Sequence, residues 1–65
     1  MLEFAKKVLQ NVSFDRDLFR KELRKAIRFM GRQDSLVLYT WCILNFGEKY
    51  KDIIVQVFQD EKIWS

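Results

Sequence analysis

The sequence predicts an all-α fold, a compact bundle of about four short helices around an apolar central helix. Apolar residues recur at helical spacing along most of the chain, and proline is absent. The only glycines, Gly31 and Gly47, each follow a periodic apolar segment, where a left-handed residue would end a helix. We predict a single domain, 1–65, with helices at about 2–12, 16–30, 35–46 and 48–60.

The first predicted helix, 2–12, is amphipathic. Its apolar side contains Leu2, Phe4, Ala5, Val8, Leu9 and Val12. The segment "VSFDRD" then breaks the chain, and Ser13 or Asp15 can cap the second helix. Phe14 is placed to pack on Phe19 as a hydrophobic staple.

The second and third predicted helices differ in their apolar content. Helix 16–30 carries a single stripe, formed by Phe19, Leu23, Ala26, Ile27 and Met30. "RQDS" predicts a turn, with Asp34 or Ser35 as the next cap. In helix 35–46, "SLVLYTWCILNF" is apolar around nearly its whole circumference, so we expect this helix to be central or to have one side against a partner.

The fourth predicted helix, 48–60, places Tyr50, Ile53, Ile54, Val57 and Phe58 on one arc. The alternative is that "LVLYTWCIL" and "DIIVQVF" form strands, because both are rich in β-branched and aromatic residues. The helical spacing and the glycine positions favour helices.

Composition excludes several classes of protein. With one cysteine, Cys42, no internal disulfide can form, and its apolar surroundings predict a buried thiol. The chain has no histidine, and no glycine-rich phosphate loop is evident. Glu48 and Asp52 lie four residues apart, as the carboxylates of catalytic pairs and magnesium sites do, but the acidic start of a helix has the same pattern and is the favoured interpretation. We therefore predict no enzyme activity, no catalytic residue, no metal, no cofactor and no small-molecule substrate.

Basic residues cluster in one segment. Residues 16–32 hold seven of the twelve Lys and Arg residues, and arginine recurs there at every fourth position from Arg16 to Arg32. On a helix this spacing predicts a basic face next to the apolar stripe. The face comprises Arg20, Lys21, Arg24, Lys25, Arg28 and Arg32.

Three interpretations of this basic face stay open. It can be a solvated outer face whose charges pair within the molecule, which is the ordinary state of a helix surface. It can contact a nucleic-acid backbone, since arginine grips phosphate with two hydrogen bonds. It can also bind an acidic protein surface or an anionic membrane.

Size and aromatic content favour an interaction module. A chain of 65 residues is near the lower limit for a single core, yet 15% of its residues are aromatic. We predict a homodimer, or a complex with a protein partner, through an interface formed by Tyr39, Trp41, Phe46 and Trp64. Nucleic-acid binding through the basic face is the alternative function. Because no segment reads as a signal peptide or a transmembrane span, we expect a cytoplasmic protein.

Overall fold

The structure is a computed structural model that describes residues 1–63, and three helices contain nearly all of them. The helices are α1 (Leu2–Asn11), α2 (Arg16–Phe29) and α3 (Arg32–Asp60). No strand occurs within residues 1–63. The predicted all-α class is therefore confirmed, and the alternative of two strands is wrong. No helix in this part of the chain has both the length and the apolar character that crossing a bilayer requires.

The predicted number of helices is wrong, because helices 35–46 and 48–60 are parts of the single helix α3. Neither glycine adopts the left-handed conformation on which that prediction depended. Gly47 lies inside α3, and Gly31 is its N-cap with extended geometry. Asp34 and Ser35 are not caps, since α3 already begins at Arg32.

A bend at Tyr50 divides α3 into two arms. Tyr50 has non-helical backbone angles, with φ −130° and ψ 25°. A straight helix of 29 residues would be about 43 Å long at 1.5 Å per residue. The longest dimension of the molecule is only 28 Å. The second arm must therefore turn back. The two arms of one bent helix thus pack in the places expected for the two predicted helices.

Side chains next to the bend attach it to the turn between α1 and α2. The Tyr50 hydroxyl donates to the Ser13 carbonyl oxygen at 2.6 Å, and Lys49 Nζ donates to the same oxygen at 2.9 Å. The Tyr50 ring packs on the Phe19 ring of α2, with centroids 4.6 Å apart. These contacts join the start of the second arm of α3 to the α1–α2 hairpin.

The core lies between α3 and the α1–α2 hairpin. All five residues of the predicted 48–60 arc are buried, as are Phe19, Leu23 and Ile27 of the α2 stripe. Among residues 1–63, the buried hydrophobic residues are Ala5, Leu9, Phe19, Leu23, Ile27, Leu38, Cys42, Tyr50, Ile53, Ile54, Val57 and Phe58. Both arms of α3 contribute to this single core.

The helix start predicted at Asp15 is confirmed. The Asp15 carboxylate accepts hydrogen bonds from the backbone N–H groups of Asp17 and Leu18, at 3.0 and 3.1 Å. These bonds satisfy two donors that would otherwise have no partner in the first turn of α2. The predicted staple does not form a buried contact, since Phe14 is 76% exposed.

Replacing Gly47 with alanine should stabilise the protein by about 0.5–1 kcal/mol, because glycine costs that much inside a helix. A Cβ atom at position 47 would meet only the Ile43 Cγ2 atom, at an ordinary contact distance of 3.6 Å. Urea unfolding midpoints measure the change. In the matched variant Gly31→Ala we expect no gain, since alanine is a poorer N-cap than glycine. A destabilising Gly47→Ala would mean that the helix ends at this position.

Replacing Tyr50 with phenylalanine should destabilise the protein by about 0.5–1.5 kcal/mol, the usual net contribution of one hydrogen bond. The ring contact with Phe19 would be kept, and the Ser13 carbonyl would still accept from Lys49. The free energy of unfolding from urea titration measures this loss. Lys49→Met is the matched variant, which keeps the Tyr50 bond and should cost less because Lys49 is exposed. Equal stability of wild type and Tyr50→Phe would exclude the hydroxyl as an anchor.

Candidate functional site

Three of the five regularly spaced arginines form ion pairs with the second arm of α3 and the turn after it. Arg16 pairs with Asp52, and Arg24 Nη2 lies 3.9 Å from Asp60 Oδ2. Arg28 makes two hydrogen bonds to Glu61, from Nε at 3.1 Å and from Nη2 at 3.3 Å. The bend of α3 thus brings acidic residues along the arginine row and neutralises much of it.

The ion pair between Arg16 and Asp52 changes the titration of the carboxyl group. The hydrogen bond from the Arg16 side chain is the largest influence and lowers the pKa of Asp52 below its ordinary value, while desolvation acts in the opposite direction. Asp52 is therefore engaged with Arg16, 36 residues away in sequence. Its predicted neighbour Glu48 is exposed and forms no ion pair within residues 1–63.

The rest of the predicted basic face lies on the outer side of α2. A groove of about 430 Å³ runs along this side, and we call it the basic groove. Its lining residues are Asp17, Arg20, Lys21, Arg24, Lys25, Arg28 and Phe29. Among the described residues, Arg20, Lys21 and Lys25 form no ion pair. Of the six residues of the predicted face, Arg20, Lys21, Lys25 and Arg32 thus carry a charge that no described residue pairs.

Arg32 is separated from the other members of the predicted face. Helix α2 ends at Phe29, and Met30 and Gly31 are extended. The four-residue period is broken there, so Arg32 instead begins α3 and is exposed.

The aromatic residues of the predicted interface are partly engaged within the molecule. Tyr39, Trp41 and Phe46 are each half-buried. The Tyr39 ring packs edge-on against the Phe58 ring, with the ring centroids 5.1 Å apart. The Phe46 ring packs edge-on against both Phe19 and Trp41, with centroid distances of 5.2 and 5.6 Å. Trp64, the fourth member of the predicted interface, lies outside the described residues.

Other aromatic side chains are far more exposed. Phe4 of α1 and Phe29 of α2 are 68% and 72% exposed, and both line an apolar groove of about 230 Å³ between the two helices. We call this the aromatic groove. The groove is formed by Met1, Phe4, Ala5, Val8, Glu22, Lys25, Ala26 and Phe29. Lys25 and Phe29 also line the basic groove, so the two grooves are adjacent along these residues.

Sequence reasoning missed the aromatic groove. Phe4 was assigned to the apolar side of α1, and Phe29 falls just beside the apolar stripe of α2. The signal was present in the position of Phe29, since a phenylalanine outside the stripe of an amphipathic helix has no place in the core. For Phe4 there was no such signal, because α1 is short and its apolar side is wider than the surface that packs on α2 and α3.

Within residues 1–63, the side chains that could bind a metal ion are not brought together. Within residues 1–63 no three or more cysteine, aspartate or glutamate side chains lie close enough to hold a metal ion. Cys42 is buried, and burial raises the pKa of its thiol to about 12. The thiol is therefore protonated near neutral pH, and Cys42 packs as a small apolar residue in the core.

Comparison of the chain with known protein families, with characterised proteins and with solved structures finds no match.

The ion pair at Asp52 predicts a specific loss of stability in acid. Since the folded-state pKa is lowered, the pair stabilises the fold above the unfolded-state pKa of about 3.9, and this contribution is lost as the pH falls through the folded-state pKa. Asp52→Asn should be less stable than wild type at pH 7, and the difference should disappear at pH values below both pKa values. Urea unfolding across this range measures it. Glu48→Gln, which removes an exposed carboxylate without an ion pair in the described chain, controls for net charge. A constant difference for Asp52→Asn would rule out the pair as its source.

Proposed function

We propose that this chain is a non-enzymatic interaction module whose aromatic groove binds an amphipathic helix of a partner protein. The observation that carries the proposal is the exposure of Phe4 and Phe29, which lie on different helices and line one apolar groove. Large exposed aromatic side chains at a groove are typical of binding surfaces, where a few such anchors supply most of the affinity.

The periodicity of the groove favours a helix as its occupant. The groove is lined by the N-cap Met1 and by positions 4, 5 and 8 of α1, and by positions 22, 25, 26 and 29 of α2. Each set covers about two turns of helix. A furrow between two packed helices accepts a third helix, whose side chains at positions i, i+3, i+4 and i+7 fill it. A partner helix of two to three turns matches the length of the groove.

A second copy of the chain is the alternative occupant, in agreement with the homodimer expected from the small size. The exposed apolar residues on the outer side of α3, among them Val37 and Leu44, add surface suited to self-association. A homodimer would have a mass of about twice the 7.9 kDa of one chain. Light scattering distinguishes this occupant from a foreign helix.

Nucleic-acid binding is a second candidate function, favoured by the basic groove. Arg20, Lys21 and Lys25 line it without an ion pair to any described residue. Three neutralised phosphates would give a slope of about −2.7 for log K against log salt on duplex DNA, at about −0.9 per phosphate. The ion pairs of Arg16, Arg24 and Arg28 weaken this alternative, because they neutralise three of the seven basic side chains of residues 16–32.

The proposal is tested with labelled 18-residue peptides whose leucines follow the i, i+3, i+4, i+7 spacing and whose other positions are alanine or glutamine. Fluorescence anisotropy should show binding to the wild type and a loss of at least about tenfold in a Phe4→Ala, Phe29→Ala variant, the effect of removing two aromatic anchors. Since both rings are exposed, circular dichroism should show that the variant is folded.

Phe14→Ala is the matched control, since Phe14 is equally exposed but does not line the groove. It should bind the peptide like the wild type. Methyl NMR shifts of Ala5, Val8 and Ala26 should change on binding and so locate the peptide. Equal binding by the groove variant and the wild type would contradict the proposal, as would the absence of binding. A mass near that of a dimer, lost only in the groove variant, would make a second copy the occupant.

A further inference from the structure

We infer that the helix bound in the aromatic groove is acidic, with carboxylates on the flank that faces Lys21 and Lys25. The inference rests on the proposed function and names the chemistry of the partner. The aromatic and basic grooves share Lys25 and Phe29, so a helix in the first has one flank beside the second.

That flank is basic because the acidic residues at the end of α3 form ion pairs with arginines elsewhere on α2 and not with the lysines of the flank. Arg24 and Arg28, at the far side of α2, are paired with Asp60 and Glu61 of the second arm of α3 and the turn after it. Lys21 and Lys25 are exposed and form no ion pair within residues 1–63. Positive charge is thus left on the side of α2 that borders the aromatic groove.

Acidic side chains near the two grooves are few. Glu22 lines the aromatic groove and Asp17 lines the basic groove, and neither forms an ion pair with a described residue. The unpaired basic residues Arg20, Lys21 and Lys25 outnumber these two carboxylates. The net charge around the groove is therefore positive even with both carboxylates counted.

The opposite flank of the groove carries more positive than negative charge. Phe4 also lines a hollow on the other side of α1, together with Lys6 and Lys7. The one carboxylate there, Glu3, is paired with Lys6 at 3.2 Å. Lys7 is exposed and forms no ion pair within residues 1–63. A bound helix therefore meets basic residues on both flanks.

Lysine at the rim suits selection of a partner by charge. Its ammonium is a mobile point charge that can follow a carboxylate on a neighbouring helix. Charges at a rim act mainly on association rate and on discrimination against like-charged partners, and salt screens them. The apolar groove then supplies affinity, and the lysines decide which amphipathic helices bind.

Three peptides with one leucine stripe, differing only in glutamate, glutamine or lysine on the flanks, test the inference by anisotropy. At about 50 mM salt the glutamate peptide should bind wild type roughly tenfold more tightly than the glutamine peptide, and the lysine peptide should bind most weakly. At 1 M salt, where the Debye length is about 3 Å, the three affinities should converge.

Lys21→Glu should reduce the preference for the glutamate peptide severalfold and leave the glutamine peptide nearly unaffected, because Lys21 lines the basic groove but not the aromatic groove. Lys51→Glu is the matched control, since Lys51 is exposed on the second arm of α3 and its replacement changes the net charge equally. It should keep the preference. An equal effect of both variants would mean that net charge alone, and not the flank of the groove, selects the peptide, which overturns the inference.

The outcomes separate the inference from the proposed function. If the glutamine and glutamate peptides bind wild type equally well, the inference is wrong and the groove still binds helices. If none of the three peptides binds, the proposed function fails and the inference with it. Binding of vesicles that contain one quarter phosphatidylserine, or of duplex RNA, without peptide binding would also overturn the inference and make an anionic surface the target.

Discussion

The bend of α3 at Tyr50 is the constraint on which the rest of the structure depends. A straight helix of this length would extend well beyond the α1–α2 hairpin, and its second arm would have nothing to pack against. At the bend, the Tyr50 hydroxyl donates to the Ser13 carbonyl oxygen and the ring packs on Phe19, so the corner is attached to the α1–α2 turn and to α2. One core thus contains residues from both arms, including Cys42 before the bend and Phe58 after it.

The same bend determines the electrostatics of α2. It places Asp52, Asp60 and Glu61 along the arginine row, where each pairs with one arginine. Most of the regularly spaced arginines are therefore held in ion pairs within the molecule. Binding of a partner through the basic face would then depend on its lysine side, formed by Lys21 and Lys25. That side borders the aromatic groove, so the internal ion pairs and the surface proposed for binding are consequences of one packing arrangement.

The aromatic residues divide into a set that packs in and around the core and a set that is exposed on the surface. Phe19, Tyr50 and Phe58 are buried, and half-buried Tyr39, Trp41 and Phe46 pack around them. Phe4, Phe14 and Phe29 are exposed. A small domain has too little interior for ten large rings. The remaining rings lie on the surface, and two of them, Phe4 and Phe29, line the aromatic groove.

The sequence by itself determined the helical class, the first two helices, the cap at Asp15 and the buried faces of α2 and of the second arm of α3. These features depend on periodicity and on contacts between near neighbours, which a single helix already expresses. Only the tertiary structure decided that Gly47 continues a helix, that the chain bends at Tyr50, which arginines are neutralised and which phenylalanines are exposed. Each of these depends on contacts between residues far apart in the chain, such as Ser13 with Tyr50 and Arg28 with Glu61, and local spacing carries no information about such pairs.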